Sequence, residues 1–521
     1  MRRVSPKGRG LIINISRKAG RTAVAVTGAA TLVALAAGGA GAASSQPRVA
    51  ADVPLKLVAA STEVILDRYP DGSVVLDLGT HLVAGKKPIE VRATRKSYGH
   101  PVVGSQIVNG KAKALPKGMV TDFSGLAKFS HLTITDAKGK KVYDKDRTLC
   151  LNVQGSRTRP DAPATSPYPD GCTANPFTLG AVWGLQAGWS AATEGYDEGT
   201  LDLPLGKYTA KLTVNKAYRD FFKIGAYDSA VTLKVTVRNA PDCHDGGHTD
   251  GCRQALAKAK AKVEGEPGLA KAAPKPHAKR PTGKASVPKG PKPDLRSLPA
   301  WQIEVVPGKA GTPNAGRDFL QFSANVWNAG PSTLVLDGFR QKGKDLMDAY
   351  QYFYDEKGKE VGYAKTGTME WDARDGHTHW HFTDFARYSL LNAKQTEVVR
   401  SQKEAFCLAA TDSIDYTVKN ANWHPMNTDL HTACGNHGSL SVREVLDVGS
   451  GDTYVQSLPG QSFDITGLPN GTYFVEVMAN PEKRLFESDL TNNKSLRKVI
   501  LGGTPQHRTV KVPPVQLVDV P

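Results

Sequence analysis

Short runs of alternating apolar and polar residues, separated by turn sequences, dominate the chain from about residue 51 onwards. Between residues 51 and 240 the clearest runs are 73–78, 129–135, 208–214 and 230–237. Alternation with a period of two places apolar side chains on one face of a β-strand. The pattern therefore predicts an all-β fold, which begins with an N-terminal β-sandwich region over residues 51–240.

A second β pattern extends from residue 295 to residue 503 and predicts a C-terminal antiparallel β-sandwich domain. Its strand-like runs include 301–306, 319–326, 334–336, 350–354 and 386–391. Residues 461–466 and 471–478 flank a Gly-Leu-Pro-Asn-Gly sequence, which predicts a hairpin. The Pro-rich residues 504–521 are expected to form a loosely ordered tail.

Residues 253–293 interrupt the two β patterns with a segment rich in Lys, Pro and Ala. Such a segment buries too little apolar surface to offset the entropy lost on ordering, so we expect a flexible linker. Two roles are open for its positive charge. The segment is either a plain tether or a means of adhesion to an acidic cell-wall polymer.

The N-terminus has the organisation of a secretory signal peptide over residues 1–42. Basic residues precede an apolar run at about 22–37, and small residues follow at 40–42. A retained membrane anchor is the alternative. Six cysteines also fit an oxidising, extracellular location. Proximity in sequence suggests three disulfides, namely Cys150–Cys172, Cys243–Cys252 and Cys407–Cys434.

The formal net charge of the 521 residues is +17, but the charge is unevenly distributed. Seven basic residues and no acidic residue precede residue 43, and 253–292 carries eleven basic residues against two acidic ones. The remaining residues together therefore carry a net charge of only about +1. Because a nucleic-acid surface needs clustered basic residues on a folded domain, we expect no nucleic-acid partner.

Three histidines alternate with other residues in the sequence HTHWH: His377, His379 and His381. Alternate residues of a β-strand share one face, so one strand could present three imidazoles to a single ion. Imidazoles suit copper, zinc, iron or nickel better than magnesium or calcium. The spacing therefore predicts a metal site without naming the metal, whereas the alternative is an exposed polar face.

The runs GHTHWHFTDFARYSLLNA, QKEAFCLAATD and GDTYVQSLPGQSFDITGLPNGTYFVEVMANPEKRLFESDLTNN occur in this order. Together they resemble the C-terminal catalytic domain of the lysyl oxidases, the copper-dependent protein-lysine 6-oxidases, and indicate a secreted bacterial homologue. The resemblance implies copper at His377, His379 and His381. It also implies a lysine tyrosylquinone cofactor, formed from Lys403 in KEAFCL and Tyr454 in GDTY, and these two residues are the expected catalytic pair.

The implied activity is oxidation of primary amines, on peptidyl lysine or small molecules, to aldehydes by O2 with release of NH3 and H2O2. A quinone is needed because no ordinary side chain accepts two electrons from an amine. Asp384 is a candidate general base, with support of a metal ligand as its alternative role. Three nearby histidines are expected to be loop residues: His424, His431 and His437.

Two non-enzymatic alternatives remain open at the level of sequence. One is a copper-binding protein, which needs the histidines and not the quinone. The other is an immunoglobulin-like adhesion module of a surface protein, which explains the β pattern alone. Neither alternative accounts for Lys403 and Tyr454.

Overall fold

The computed structural model describes residues 54–153, 155–194, 200–241, 277, 279–355, 357–373, 378–401, 403, 405–425 and 432–521. The predicted signal peptide, most of the predicted linker, His377, His431 and the predicted Cys243–Cys252 disulfide lie outside these ranges. Within them, no helix is long and apolar enough to cross a membrane.

Strands and one short helix make up the described N-terminal part. The strands are β1 (Leu55–Ala59), β2 (Glu63–Arg68), β3 (Val74–Val75), β4 (Thr80–Ala84), β5 (Ile89–Thr94), β6 (Val103–Val108), β7 (Lys111–Ala114), β8 (Leu126–Asp136), β9 (Lys141–Leu149), β10 (Ser156–Arg157), β11 (Gly180–Leu185), β12 (Trp189–Ala192), β13 (Thr200–Leu201), β14 (Gly206–Val214) and β15 (Ala230–Asn239). The helix is α1 (Lys216–Phe222).

The C-terminal part is also built of strands. They are β16 (Leu295–Ser297), β17 (Trp301–Pro307), β18 (Asp318–Asn328), β19 (Leu334–Arg340), β20 (Leu346–Tyr354), β21 (Glu360–Asp372), β22 (His379–Thr383), β23 (Ala386–Asn392), β24 (Glu397–Arg400), β25 (Ala405–Phe406), β26 (Asp412–Ser413), β27 (Ser441–Leu446), β28 (Ser450–Tyr454), β29 (Ser462–Asp464), β30 (Gly471–Ala479), β31 (Lys494–Thr504) and β32 (His507–Lys511). The prediction of an all-β fold is confirmed.

The described N-terminal strands form three sheets, with orders β1-β4-β12-β10, β11-β5-β6-β7 and β13-β3-β2-β15-β14-β8-β9. Strand β14 illustrates why these residues form strands. Its Tyr208, Ala210, Leu212 and Val214 are buried, whereas the lysines and threonines between them face outwards. This alternation packs one face of the largest sheet against a continuous apolar core.

The described C-terminal strands also form three sheets, and two of them carry the candidate site. One has the order β16-β18-β28-β26, with β17 and β29 also pairing with β18. The second has the order β25-β22-β21-β20-β19-β27, and the third has the order β24-β23-β30-β31-β32. Strand β22 holds two of the predicted histidines and β28 ends at Tyr454, so the fold brings the two motifs together around one core.

The predicted hairpin over residues 461–478 is wrong. Strand β29 pairs with β18, whereas β30 pairs with β23 and β31. Phe463, the central residue of β29, is fully buried and stacks on Phe322 of β18 at a ring-centroid distance of 4.7 Å. Burial against β18 thus outweighs the local tendency to pair across the turn.

Residues 504–521 are not the loosely ordered tail that the sequence suggested. Residues 507–511 form β32 beside β31, and Val518 is buried in an apolar cluster with Trp301 and Trp327. The Arg497 side chain, which is 1% exposed, also donates a hydrogen bond to the Val520 carbonyl. The chain end is therefore held by apolar burial that its proline content does not reveal.

The last residues of the predicted linker pack against the C-terminal part. Arg280 pairs with Asp348, and the Ser286 N–H donates to the carbonyl of Tyr363 on β21. His277 Nδ1 lies within hydrogen-bond distance of the buried Asp337 carboxylate, to which Arg443 also donates. Charged partners on the sheet thus hold a segment that has little apolar surface of its own.

Candidate metal and cofactor site

The first part of the site is the face of β22 opposite Trp380. Its His379 and His381 point to the same side, and their ring centroids lie 4.6 Å apart. Alternate residues of a strand are separated by about 7 Å along the backbone, so the two rings converge. Trp380 points the opposite way into the core, where its Nε1 donates to the carbonyl of Asn436. The structure thus places two of the three predicted ligands together.

The environment of the two rings suits metal ligands. His381 is 1% exposed, and its Nδ1 lies 3.4 Å from Oδ2 of Asp372, a residue of the neighbouring strand β21. A carboxylate beside a histidine orients the ring for ligation by its other nitrogen. Burial, followed by the positive charge of Lys403, lowers the pKa of His379. A lowered pKa favours the neutral imidazole, which is the form that binds metals.

Two other histidines of the region have different surroundings. His437 Nε2 lies 2.9 Å from Oδ1 of Asp345, at the protein surface. His424 faces Asp170 of the N-terminal part at 4.0 Å. These contacts agree with their interpretation as loop residues.

Asp384 fits the role of general base poorly. Its side chain is 34% exposed, and its carboxylate accepts a hydrogen bond of 2.8 Å from Arg484. The residue has a positive φ of 60° in the turn between β22 and β23, where an aspartate is tolerated. The Asp384 carboxylate is therefore directed to Arg484 and to solvent.

The second part of the site joins Lys403 and Tyr454. Lys403 is 1% exposed and Tyr454 is 8% exposed, so both lie in the interior. The Lys403 Nζ is 4.9 Å from the centroid of the Tyr454 ring and 5.3 Å from that of Phe406. A buried lysine over aromatic faces gains a cation–π interaction but loses most of its hydration. Its proximity to Tyr454 is therefore unusual for a lysine with a purely structural role.

The Phe406 ring and the Cys407 carbonyl hold the Tyr454 side chain in place. Phe406 meets Tyr454 edge to face at 4.8 Å, and the Tyr454 hydroxyl donates to the carbonyl of Cys407 at 3.2 Å. Because Phe406 also pairs with Phe382 of β22, the Tyr454 ring and the histidine strand contact the same short strand, β25. The predicted Cys407–Cys434 disulfide is present, as is Cys150–Cys172.

Two buried carboxyl groups near Lys403 were missed by sequence reasoning. Glu444 is 0% exposed and accepts a hydrogen bond from the Leu408 N–H at 3.1 Å, and Asp452 is 4% exposed. Burial raises the pKa of each carboxyl group well above its usual range, and the nearby Lys403 charge opposes this shift. Asp452 shares a strand face with Tyr454 because the two are separated by one residue, and this spacing was the available signal.

Each of these carboxyl groups has one oxygen that is not used by the described residues. Oε1 of Glu444 and Oδ2 of Asp452 are buried without a hydrogen-bond partner in the described part of the chain. Burial also raises the pKa of the Tyr454 hydroxyl, and the neighbouring Asp452 raises it further. The arrangement can therefore take up a proton close to the tyrosine ring.

We expect removal of the Cys407–Cys434 disulfide by paired Cys→Ser substitution to lower the unfolding free energy by about 3 kcal/mol, the scale for a loop of this size. The bridge spans 27 residues and includes the residue whose carbonyl holds Tyr454. Paired substitution of Cys150 and Cys172, which span 22 residues, is the control. Denaturant titration should show similar losses for both, but only the first pair should alter Tyr454 absorbance. Equal tyrosine spectra in the two paired variants would contradict a connection between the Cys407–Cys434 disulfide and the position of Tyr454.

Residues 354–509, which include His379, His381, Lys403, Tyr454 and the two buried carboxyl groups, match the family model described as Lysyl oxidase. The chain is 33% identical over 132 residues to Lysyl oxidase homolog 2 of Xenopus tropicalis. It is 32% identical over 130 residues to Lysyl oxidase homolog 4 of Homo sapiens and to homolog 3B of Danio rerio.

These matches are limited in extent. Each covers 25% of this chain, and the chain spans only about 15% of the length of these curated relatives. The family model matches residues 354–509, the segment that contains His379, His381, Lys403 and Tyr454.

Proposed function

We propose that this protein is a secreted copper-dependent amine oxidase of lysyl oxidase type. It converts a primary amine, O2 and water into an aldehyde, NH3 and H2O2. The observation that carries the proposal is the burial of Lys403 beside the Tyr454 ring, with Nζ 4.9 Å from the ring centroid. These are the two residues from which a lysine tyrosylquinone would form.

The residues present fit copper. His379 and His381 would hold the ion through convergent imidazoles, and the HTHWH pattern assigns the third ligand to His377. Copper supplies, with O2, the chemistry that oxidises Tyr454, and the quinone formed with Lys403 supplies the electron sink for the amine. Asp372, beside His381, would hold that ring in its ligating orientation.

The protein positions the reacting side chains and excludes water. Phe406 packs against the tyrosine ring and limits its rotation, while the Cys407 carbonyl holds the hydroxyl. Lys403 enters the same pocket from the segment just before β25. Because both side chains are buried, the protein holds them beside each other before any bond forms.

Asp452 is the best-placed general base. Its carboxyl group lies on the same face of β28 as Tyr454, and burial raises its pKa. A carboxylate with a raised pKa is a stronger base than one in water, so Asp452 Oδ2 can take a proton from the substrate carbon. Glu444 on β27 provides a second buried carboxyl group in the same pocket.

The proposed partners follow from this chemistry, from the disulfides and from the charge of residues 253–293. The substrate is a primary amine or a lysine-containing protein, and O2 is the second substrate. The two disulfides in the described part suit an extracellular location. The basic residues of 253–293 would allow contact with an acidic cell-wall polymer.

We expect substitutions around β22 to affect copper affinity in a graded way. His381→Ala removes a ligand and should abolish tight binding, whereas Asp372→Asn should weaken binding about 10–100-fold through loss of ring orientation. Asp384→Asn, whose carboxylate pairs with Arg484 at the surface, is the matched control and should leave affinity unchanged. Copper titration with a competing chelator measures all three. Equal affinities for wild type and His381→Ala would contradict this assignment.

The function is tested with copper-loaded protein in air. Quinone absorbance should appear, and a primary amine should then yield H2O2 and an aldehyde. Copper binding without either product would support the alternative of a copper-binding protein and refute the oxidase proposal.

A further inference from the structure

Residues 173–180 of the N-terminal part are joined to residues 412–416 of the C-terminal part by hydrogen bonds of the main chain and of side chains. The N–H groups of Leu179 and Gly180 donate to the Ile414 carbonyl, and the Tyr416 N–H donates back to the Gly180 carbonyl at 2.9 Å. The approach is close, because a Cβ at Gly180 would lie 2.1 Å from Oδ1 of Asp415. This contact, called the seam below, continues a sheet of the N-terminal part towards the catalytic segment.

The seam is also apolar and buried. Phe177, which is 0% exposed, lies in one cluster with residues of the C-terminal part: Leu298, Trp301, Trp327, Ile414 and Val518. Its ring centroid is 6.2 Å from that of Trp301. Interfaces between separable domains are usually more polar, whereas permanent ones resemble a protein core. Loss of residues 54–241 would expose this cluster to water.

A hydrogen-bonded chain leads from the seam to the strand of the cofactor tyrosine. The amide of Asn175, which is 6% exposed, donates to Oδ2 of Asp412 at 3.1 Å. The same carboxylate oxygen accepts a hydrogen bond from the Thr453 hydroxyl, and Thr453 directly precedes Tyr454. Asp412 is itself part of β26, which pairs with β28.

We infer that the N-terminal part is a permanent component of the enzyme and that Asn175 positions the Tyr454 strand through Asp412. The effect on Tyr454 chemistry rests on the proposed function, but the effect on the strand does not. Asn175 is a positioning residue, because it acts on the Tyr454 strand through Asp412 and Thr453. Residues 54–241 would therefore remain with the catalytic segment in the active protein.

Asn175→Asp tests this inference in the full-length chain. The new carboxylate can still accept the Phe177 N–H, as the asparagine Oδ1 does at 2.9 Å, but it repels Asp412. Hydrogen exchange of the 450–454 amides should accelerate about tenfold or more, the scale for loss of a hydrogen bond to a charged group. Adding Asp412→Asn should restore protection, because its NH2 group has two hydrogens: one can donate to the new carboxylate, and the other to the Thr453 hydroxyl oxygen, which then accepts instead of donating.

Asn215→Asp is the matched control, because its amide also donates to a carboxylate, that of Asp146, within the N-terminal part. Asn175→Ala replaces Asn175→Asp if the latter does not fold. Unchanged exchange at 450–454, or no recovery in the double variant, would overturn the inference.

A second readout separates the inference from the proposed function. Quinone yield per bound copper should fall in Asn175→Asp, recover in the double variant and stay normal in Asn215→Asp. If wild type forms no quinone, the proposed function fails, and the exchange measurement still decides the role of Asn175.

Discussion

Tyr454→Phe is expected to eliminate amine oxidation, with a loss of roughly 10³-fold or more, as when an essential reacting group is removed. The phenylalanine keeps the edge-to-face contact with Phe406 but has no hydroxyl from which a quinone can form. Loss of the hydrogen bond to the Cys407 carbonyl should cost only about 1 kcal/mol of stability. Copper affinity should remain normal, and H2O2 release with a primary amine measures the activity.

Tyr473→Phe is the control for that experiment. Tyr473 is also buried in a strand, and its hydroxyl donates to the Pro469 carbonyl at 2.7 Å. The two variants should lose similar stability, and only Tyr454→Phe should lose activity. Activity retained in Tyr454→Phe would exclude a Tyr454-derived cofactor.

Lys403→Met should likewise give a copper-binding protein without oxidase activity. Methionine fills a similar buried volume but has no amine to bond to the tyrosine ring. Removal of the cation should also raise the pKa values of Glu444 and Asp452 further, because Lys403 lowers both. Steady-state assays and absorbance spectra of the copper-loaded variant check the expected loss.

Lys394→Met, at an exposed turn, serves as the surface control for Lys403→Met. Its activity and spectrum should equal those of wild type. A Lys403→Met protein with wild-type turnover would show that the lysine has only a structural role.

The β fold could be predicted because its signal is local. The alternation in β14 and neighbouring strands can be recognised from the order of apolar and polar residues alone. The two disulfides in the described part followed from short sequence separations. In contrast, the pairing of β29 with β18 depends on burial of Phe463 by distant residues, and local turn propensity gave the wrong partner.

Some residues of the candidate site could be predicted from sequence, whereas others could not. The shared face of His379 and His381 follows from strand periodicity alone. Lys403 and Tyr454 carry no local signal, and only the resemblance to lysyl oxidases brought them together. The spacing of Asp452 and Tyr454 indicates a shared strand face, but the burial that raises the pKa values of Asp452 and Glu444 comes from other strands and could not be predicted. For the same reason, the ion pair of Asp384 with Arg484 could not be predicted from sequence.

The cross-link between Lys403 and Tyr454 is the most direct test of the central claim. Wild-type protein is loaded with copper in air, digested, and analysed by peptide mass spectrometry, with Lys403→Met as the reference. The account predicts one species that joins the Lys403 and Tyr454 peptides and is missing from the reference. Recovery of both wild-type peptides unmodified and separate, from protein with bound copper, would contradict it.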